Sequence, residues 1–262
     1  MTLTAILLGI VEGLTEFLPV SSTGHLILAG RLLHFEGARA ATFEIFIQFG
    51  AILAILAIYP ARFGDLLNFK KKQGFSGLNG LTKLFITTVP ALLLGSVLHG
   101  FIKERLFSPA MVALGLAAGS FWIFASERFP VPAKKTSLDE LDWRDALAIG
   151  FFQCLAMWPG VSRALATILG GLHRGMDRKT AIEYSFFAAL PVILAASVYD
   201  LYKSLDVLSH VDLPFFAVGL AVSFASAWVT VKFFIRFISG HTFKSFAWYR
   251  LAAALAVFFL LR

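Results

Sequence analysis

The chain alternates long apolar runs with short polar loops. Six runs are long enough to cross a bilayer as α-helices, at about 43–59, 81–101, 109–126, 180–202, 212–236 and 245–262, since about 20 apolar residues span the hydrocarbon core. Two further apolar stretches break before they can cross. The first, Leu3 to Val20, carries Glu12 and Glu16, meets Pro19, and resumes from Ser21 through His25 to Leu33. The second begins at Asp145, breaks at Pro159-Gly160, and resumes from Arg163 to Leu172. Helix, polar break and returning helix predict a re-entrant hairpin, because irregular backbone at membrane depth is tolerated only where it lines a cavity. The expected fold is an all-α polytopic membrane protein with six transmembrane helices and two re-entrant helical hairpins.

The order of elements repeats. Residues 1–126 and 146–262 each read as a broken hairpin followed by three spans, joined by a polar linker at 127–145, the whole forming one membrane domain over 1–262. At an offset of 141, Gly9 pairs with Gly150, Glu12 with Gln153, Phe17 with Trp158 and Ser21 with Ser162. An odd number of spans per half inverts the second half relative to the first.

Composition agrees with this class: 58% apolar residues, 15% charged and a mean hydropathy of +0.78. The net charge of +7 reads as positive-inside loop bias and not as a nucleic-acid footprint, since Lys70-Lys71-Lys72 is the longest basic run. With alternating spans, 14 of the 20 counted loop and terminal basic residues fall on the side of loops 60–83 and 127–145. That side is expected to be cytoplasmic, which puts both termini and the first hairpin's mouth outside. The single cysteine, Cys154, excludes an intramolecular disulfide. The N-terminus lacks the basic segment of a signal peptide.

The chemistry concentrates at Glu12-Gly-Leu-Thr-Glu16-Phe-Leu-Pro19-Val-Ser21-Ser22-Thr23-Gly24-His25. A carboxylate at bilayer depth costs roughly 2.5–3.5 kcal/mol on insertion scales, so it needs a cavity, a cation or a proton. Glu12 and Glu16, four apart, share a helix face. If the two hairpin tips meet, Arg163 joins them, and its planar fork suits phosphate oxygens. The turns at Ser21-Ser22-Thr23 and Gly160-Val-Ser162 each precede a helix N-terminus, which favours an anion. Two carboxylates beside an anion call for a divalent cation between Glu12 and Glu16, with Mg²⁺ and Ca²⁺ both compatible. Ser22 then serves as nucleophile or phosphate ligand, and His25 as general base or acid. The plain alternative for Arg163 is a buried ion pair with one Glu, which leaves it in the same place.

The 12–25 motif resembles the signature of the bacterial undecaprenyl-diphosphate phosphatases, the bacitracin-resistance family. Phe43-Glu44 through Gln48 to Gly50-Ala-Ile-Leu and Pro159-Gly160-Val-Ser162-Arg163 extend the likeness over most of the chain. The resemblance implies an inverted-repeat hydrolase of the bacterial inner membrane that removes the terminal phosphate of a C55 isoprenyl diphosphate at the outer face. It assigns Glu12 and Glu16 as the acidic pair, Ser22, His25, and Arg163 on phosphate, with the lipid and the bilayer as partners and no nucleic acid. Oligomeric state is left open, a homodimer among the options. One departure stands out: Ser162-Arg163 continues with Ala164-Leu165 where the family usually has Ser-Gly, which predicts a looser second phosphate cradle. The rival readings are a polyprenyl-phosphate transporter or flippase and a cation-coupled carrier, which explains Arg163 poorly. A lipid substrate also predicts a lateral opening, with the small-residue runs Ala113–Gly119 and Ala217–Ala227 as expected walls.

Overall fold

A backbone in hydrocarbon must satisfy its own N–H and C=O groups, and the apolar runs do so as α-helices. The computed structural model describes residues 2–71, 73–106, 108–203 and 212–260; Lys72 and Arg262, counted above among the basic residues, lie outside the described residues. In chain order the helices are α1 (Thr2–Thr15), α2 (Ser22–Leu32), α3 (Ala38–Ile58), α4 (Pro60–Leu66), α5 (Gly77–Phe101), α6 (Pro109–Arg128), α7 (Trp143–Cys154), α8 (Arg163–His173), α9 (Arg178–Lys203), α10 (Leu213–Ile238) and α11 (Lys244–Leu260). Among the described residues no strand forms beyond an isolated bridge between Lys135 and Met176. Among the described residues five helices, α3, α5, α6, α9 and α10, are long and apolar enough to cross a membrane. The sixth expected span, α11, has 17 described residues. Sequence reading missed α4, which Pro60 opens at its first turn, a position that loses no hydrogen bond. Helices α5 and α9 run through Pro90 and Pro191.

Several helix contacts correspond between the halves. Helix α1 lies along α10 and α7 along α5, while α3 packs on α10 and α9 on α5; α6 pairs with α11. Small residues permit these approaches. A Cβ on Gly9 would sit 2.7 Å from the Gly219 carbonyl oxygen, and one on Gly13 would sit 2.6 Å from that of Ser223. Lipid tails give helices no hydrophobic reason to associate, so such close packing and interhelical hydrogen bonds hold the bundle. The runs 113–119 and 217–227 therefore serve as contact faces: Gly115 abuts the Pro159–Gly160 backbone and Gly219 abuts Phe43.

The linker is pinned by acidic side chains. Asp139 accepts from the Phe75 backbone N–H at 2.7 Å and from Arg62 at 3.3 Å, and these contacts hold its carboxyl below the usual range against burial. Asp145 is fully buried. It caps α7 reciprocally with Asp142 and pairs with Lys135 and, at 3.0 Å, Arg174. Burial pushes the Asp145 carboxyl up, but the bonds from Lys135, the Asp142 N–H and Arg174 outweigh it and hold the group below its ordinary value.

A folded-state value below the unfolded one, about 3.9, gives stability present above that pH and lost as pH falls through the folded value. Asp145→Asn should therefore cost about 2–3 kcal/mol at pH 7, less than the 3–5 kcal/mol of a sealed pair because Lys135 and Arg174 are partly exposed. Unfolding in detergent at pH 7 and at pH 3 checks this: the gap between variant and wild type should shrink in acid.

Candidate active site

Both hairpins break the same way. Helix α1 ends at Thr15, the Glu16 N–H still reaches the Glu12 carbonyl at 2.9 Å, and α2 starts at Ser22. Helix α7 ends at Cys154, a single 3₁₀ turn follows at Leu155–Met157, and α8 starts at Arg163. The residues that open the returning helices, Ser21 and Ser162, have φ of 72° and 80°. Left-handed backbone at a non-glycine residue costs of order 1–3 kcal/mol and persists only where its surroundings enforce it. The two strained serines lie 141 positions apart, as do the starts of α2 and α8, and each of those helices is 11 residues long.

The breaks converge on Glu16. Ser22 Oγ donates to its Oε2 at 2.6 Å, and Arg163 Nη2 donates to its Oε1 at 3.0 Å. Arg163 Nη1 donates to the Ser185 carbonyl at 3.1 Å, and the guanidinium carbon lies 5.9 Å from the Phe17 ring centre. Thr167 and Ser185 join hydroxyls at 2.6 Å behind it. A cavity of about 180 Å³ opens beside these groups. Glu16, Ser21, Ser22 and Thr23 line it from the first break, and Gly160, Ser162 and Arg163 from the second. Gln48 lines it from α3, while Val192, Ile193 and Ala196 of α9 form an apolar side.

Two of the expected residues stand apart from that cavity. Glu12 is fully buried, and neither carboxylate oxygen has a hydrogen-bond partner among the described residues. The charges acting on it are Glu16, Glu44 and Arg163. His25 lines a different cavity. Its Nδ1 bonds the Ser21 carbonyl at 2.7 Å, which requires a proton on that nitrogen, and its Nε2 meets the Tyr249 hydroxyl at 2.6 Å. The His25 and Tyr249 rings stack at 5.5 Å over an apolar groove of about 280 Å³ lined by Gly24, Leu28, Leu116 and alanines of α11. Both ring nitrogens are thus occupied away from Glu16 and Arg163.

Neither Ala164 nor Leu165 lines the cavity. Both side chains are buried in the core, and the Leu165 N–H is capped by Ser162 Oγ at 3.2 Å. Among the described residues no group of three or more His, Cys, Asp and Glu side chains is placed to hold a metal. Sequence reading missed Ser185, Tyr249 and Arg250. Arg250 was detectable, since an arginine inside an apolar run is a functional flag by itself.

Comparison with known proteins closes the question of kinship. Residues 5–256 match the family model described as bacitracin resistance protein BacA. The protein named undecaprenyl-diphosphatase in Oleidesulfovibrio alaskensis is 54% identical over 253 residues, covering 96% of each chain. Its namesake in Maridesulfovibrio salexigens is 53% identical over 256 residues, 98% of this chain and 97% of that one. Another, in Aromatoleum aromaticum, is 49% identical over 257 residues, 97% of this chain and 92% of that one. On the strength of a match that takes in both broken hairpins and every helix between them, this chain belongs to the BacA bacitracin resistance protein family.

Proposed function

We infer that the protein is a membrane hydrolase that removes the terminal phosphate of undecaprenyl diphosphate, returning the monophosphate for reuse as a cell-wall lipid carrier. Full-length kinship with proteins named for that reaction supports the activity. The observation that carries the chemistry is the hydrogen bond from Ser22 Oγ to Glu16 Oε2 at 2.6 Å, with Arg163 on the other carboxylate oxygen. A transporter has no use for a hydroxyl paired with a base.

Glu16 takes the Ser22 proton as Oγ attacks the terminal phosphorus. The bond from that phosphorus to the bridging oxygen breaks, undecaprenyl phosphate leaves, and water then hydrolyses the phosphoserine. Arg163 neutralises the equatorial oxygens, and the first turns of α2 and α8 add N–H donors and positive dipole ends. The apolar flank of Val192, Ile193 and Ala196 suits the first isoprene units. Glu12, whose buried carboxylate neighbours Glu16 and receives no hydrogen bond from a hydroxyl, amide or basic side chain among the described residues, is the group that would take up a divalent cation. Mg²⁺ or Ca²⁺ held by Glu12 and Glu16 would supply further charge neutralisation at the diphosphate.

The architecture of six spans and two re-entrant hairpins in inverted repeats is part of this proposal. The matched lengths of the two returning helices and the paired positive-φ serines support it. The basic loops are assigned in the same reading to the cytoplasm of a bacterial inner membrane, which opens the site to the outer face.

Glu16→Ala and Arg163→Ala should each lower kcat about 10²–10³-fold, the usual loss when one transition-state charge is removed. Arg163→Lys should rescue little, because an ammonium lacks the fork. Phosphate release from purified protein and undecaprenyl diphosphate measures both. Ser22→Ala should abolish turnover, and brief reaction with substrate labelled in its terminal phosphate should mark wild type but not the variant. His25→Gln should retain most of kcat, since both ring nitrogens are bonded away from Glu16 and Arg163; a loss as deep as that of Ser22→Ala would place His25 in the chemistry. Lys71→Cys in intact cells should react only with reagents that reach the cytoplasm.

A further inference from the structure

The last helix sends one charged side chain through the packing toward the two hairpin tips. Arg250 of α11 is fully buried. Its Nη1 donates to the Pro19 carbonyl at 3.0 Å, and its Nη2 donates to the carbonyls of Gly160 at 2.9 Å and Gly115 at 3.2 Å. Pro19 and Gly160 correspond at the offset of 141, so a single guanidinium binds the same backbone position in both breaks. Each of those carbonyls lies two residues before a serine with positive φ, Ser21 and Ser162, and three residues before a group that bonds Glu16, Ser22 and Arg163.

We propose that Arg250 is the positioning residue of the active site: by holding the Pro19 and Gly160 carbonyls on one guanidinium, it fixes the separation of the two tips and so the placement of Ser22 against Arg163. The idea rests on the phosphatase reading for its kinetic consequence, but the tip separation can be measured without any activity. A planar fork suits the task because its donors diverge at fixed angles and so specify two acceptors in space at once. A lysine in its place has one freely rotating head and fixes neither direction. Room for the fork comes from Gly119 on α6, where an added methyl would collide with Nη2 and lie 2.8 Å from Cζ. Gly119→Ala is therefore a second way to displace the guanidinium while leaving its charge in the protein.

Arg250→Lys, Arg250→Met and Gly119→Ala are compared with wild type in detergent. Spin labels at Leu18→Cys and Leu155→Cys, in a Cys154→Ala background, report tip separation by pulsed dipolar spectroscopy. Phosphate release from undecaprenyl diphosphate gives kcat and KM. The expected result is a broadened or shifted tip distance in all three variants, with kcat lowered about 10²-fold, as misplacement by about 1 Å produces, and KM little changed. Arg250→Lys should fall between wild type and Arg250→Met. Variants that melt like wild type and keep its tip distance would overturn the proposal, as would wild-type kcat in Gly119→Ala. Failure of all three to fold would also overturn it, by making Arg250 a residue of the bundle and not of the site. Wild-type protein without phosphatase activity but with tip distances that respond to the variants would sink the functional reading and leave the clamp standing.

Discussion

An ionised side chain withdrawn from water must be repaid by partners nearby, and around Glu16 that requirement organises the molecule. A carboxylate and a guanidinium removed to low dielectric each lose hydration worth several kcal/mol, recovered only with good geometry and further hydrogen bonds. Glu16 has Arg163 on one oxygen and Ser22 on the other. Arg163 has the Ser185 carbonyl besides. To deliver these groups, two helices must stop halfway, and stopping a helix in apolar surroundings frees backbone carbonyls that need donors of their own. The broken hairpins, the strained serines and the buried arginine of α11 all serve the burial of one carboxylate.

The packing of the remaining helices answers the same requirement from outside. Broken segments can sit inside a bundle only if neighbouring helices come close enough to exclude lipid from their unpaired backbone. Glycine supplies that closeness where Gly115 meets the Pro159–Gly160 backbone and where Gly9 and Gly13 meet α10. An aromatic layer of Phe63, Phe75, Tyr184 and Phe187 fills the region beneath.

Much of this was legible in the sequence, and for a physical reason. Charges and prolines inside apolar runs are costly, so Glu16, Pro19, Pro159 and Arg163 announce the breaks and the meeting of the tips. The offset of 141 carried the repeat down to the backbone conformation of Ser21 and Ser162. What stayed hidden depends on rotation about a helix axis. Spacing places His25 three residues after Ser22, yet α2 turns its ring toward Tyr249 and away from Arg163. The runs of small residues could part or close, and only the facing side chains decide; here they close. Ala164-Leu165 sends both side chains into the core, which a motif read as a string does not reveal.

The contact between Arg250 and Pro19 joins residues 231 positions apart, and that between Arg163 and Glu16 spans 147. Chains are made from the N-terminus, at about 5–20 residues per second. Glu12 and Glu16 therefore enter the membrane many seconds before Arg163 exists, and the tips receive their common arginine only with the last described helix. For that interval Glu16 has only Ser22 of its two side-chain partners. A chain released early, short of α11, would carry both broken hairpins with their carbonyls exposed. Synthesis of the final helix is thus the step that completes the bonding of both tips.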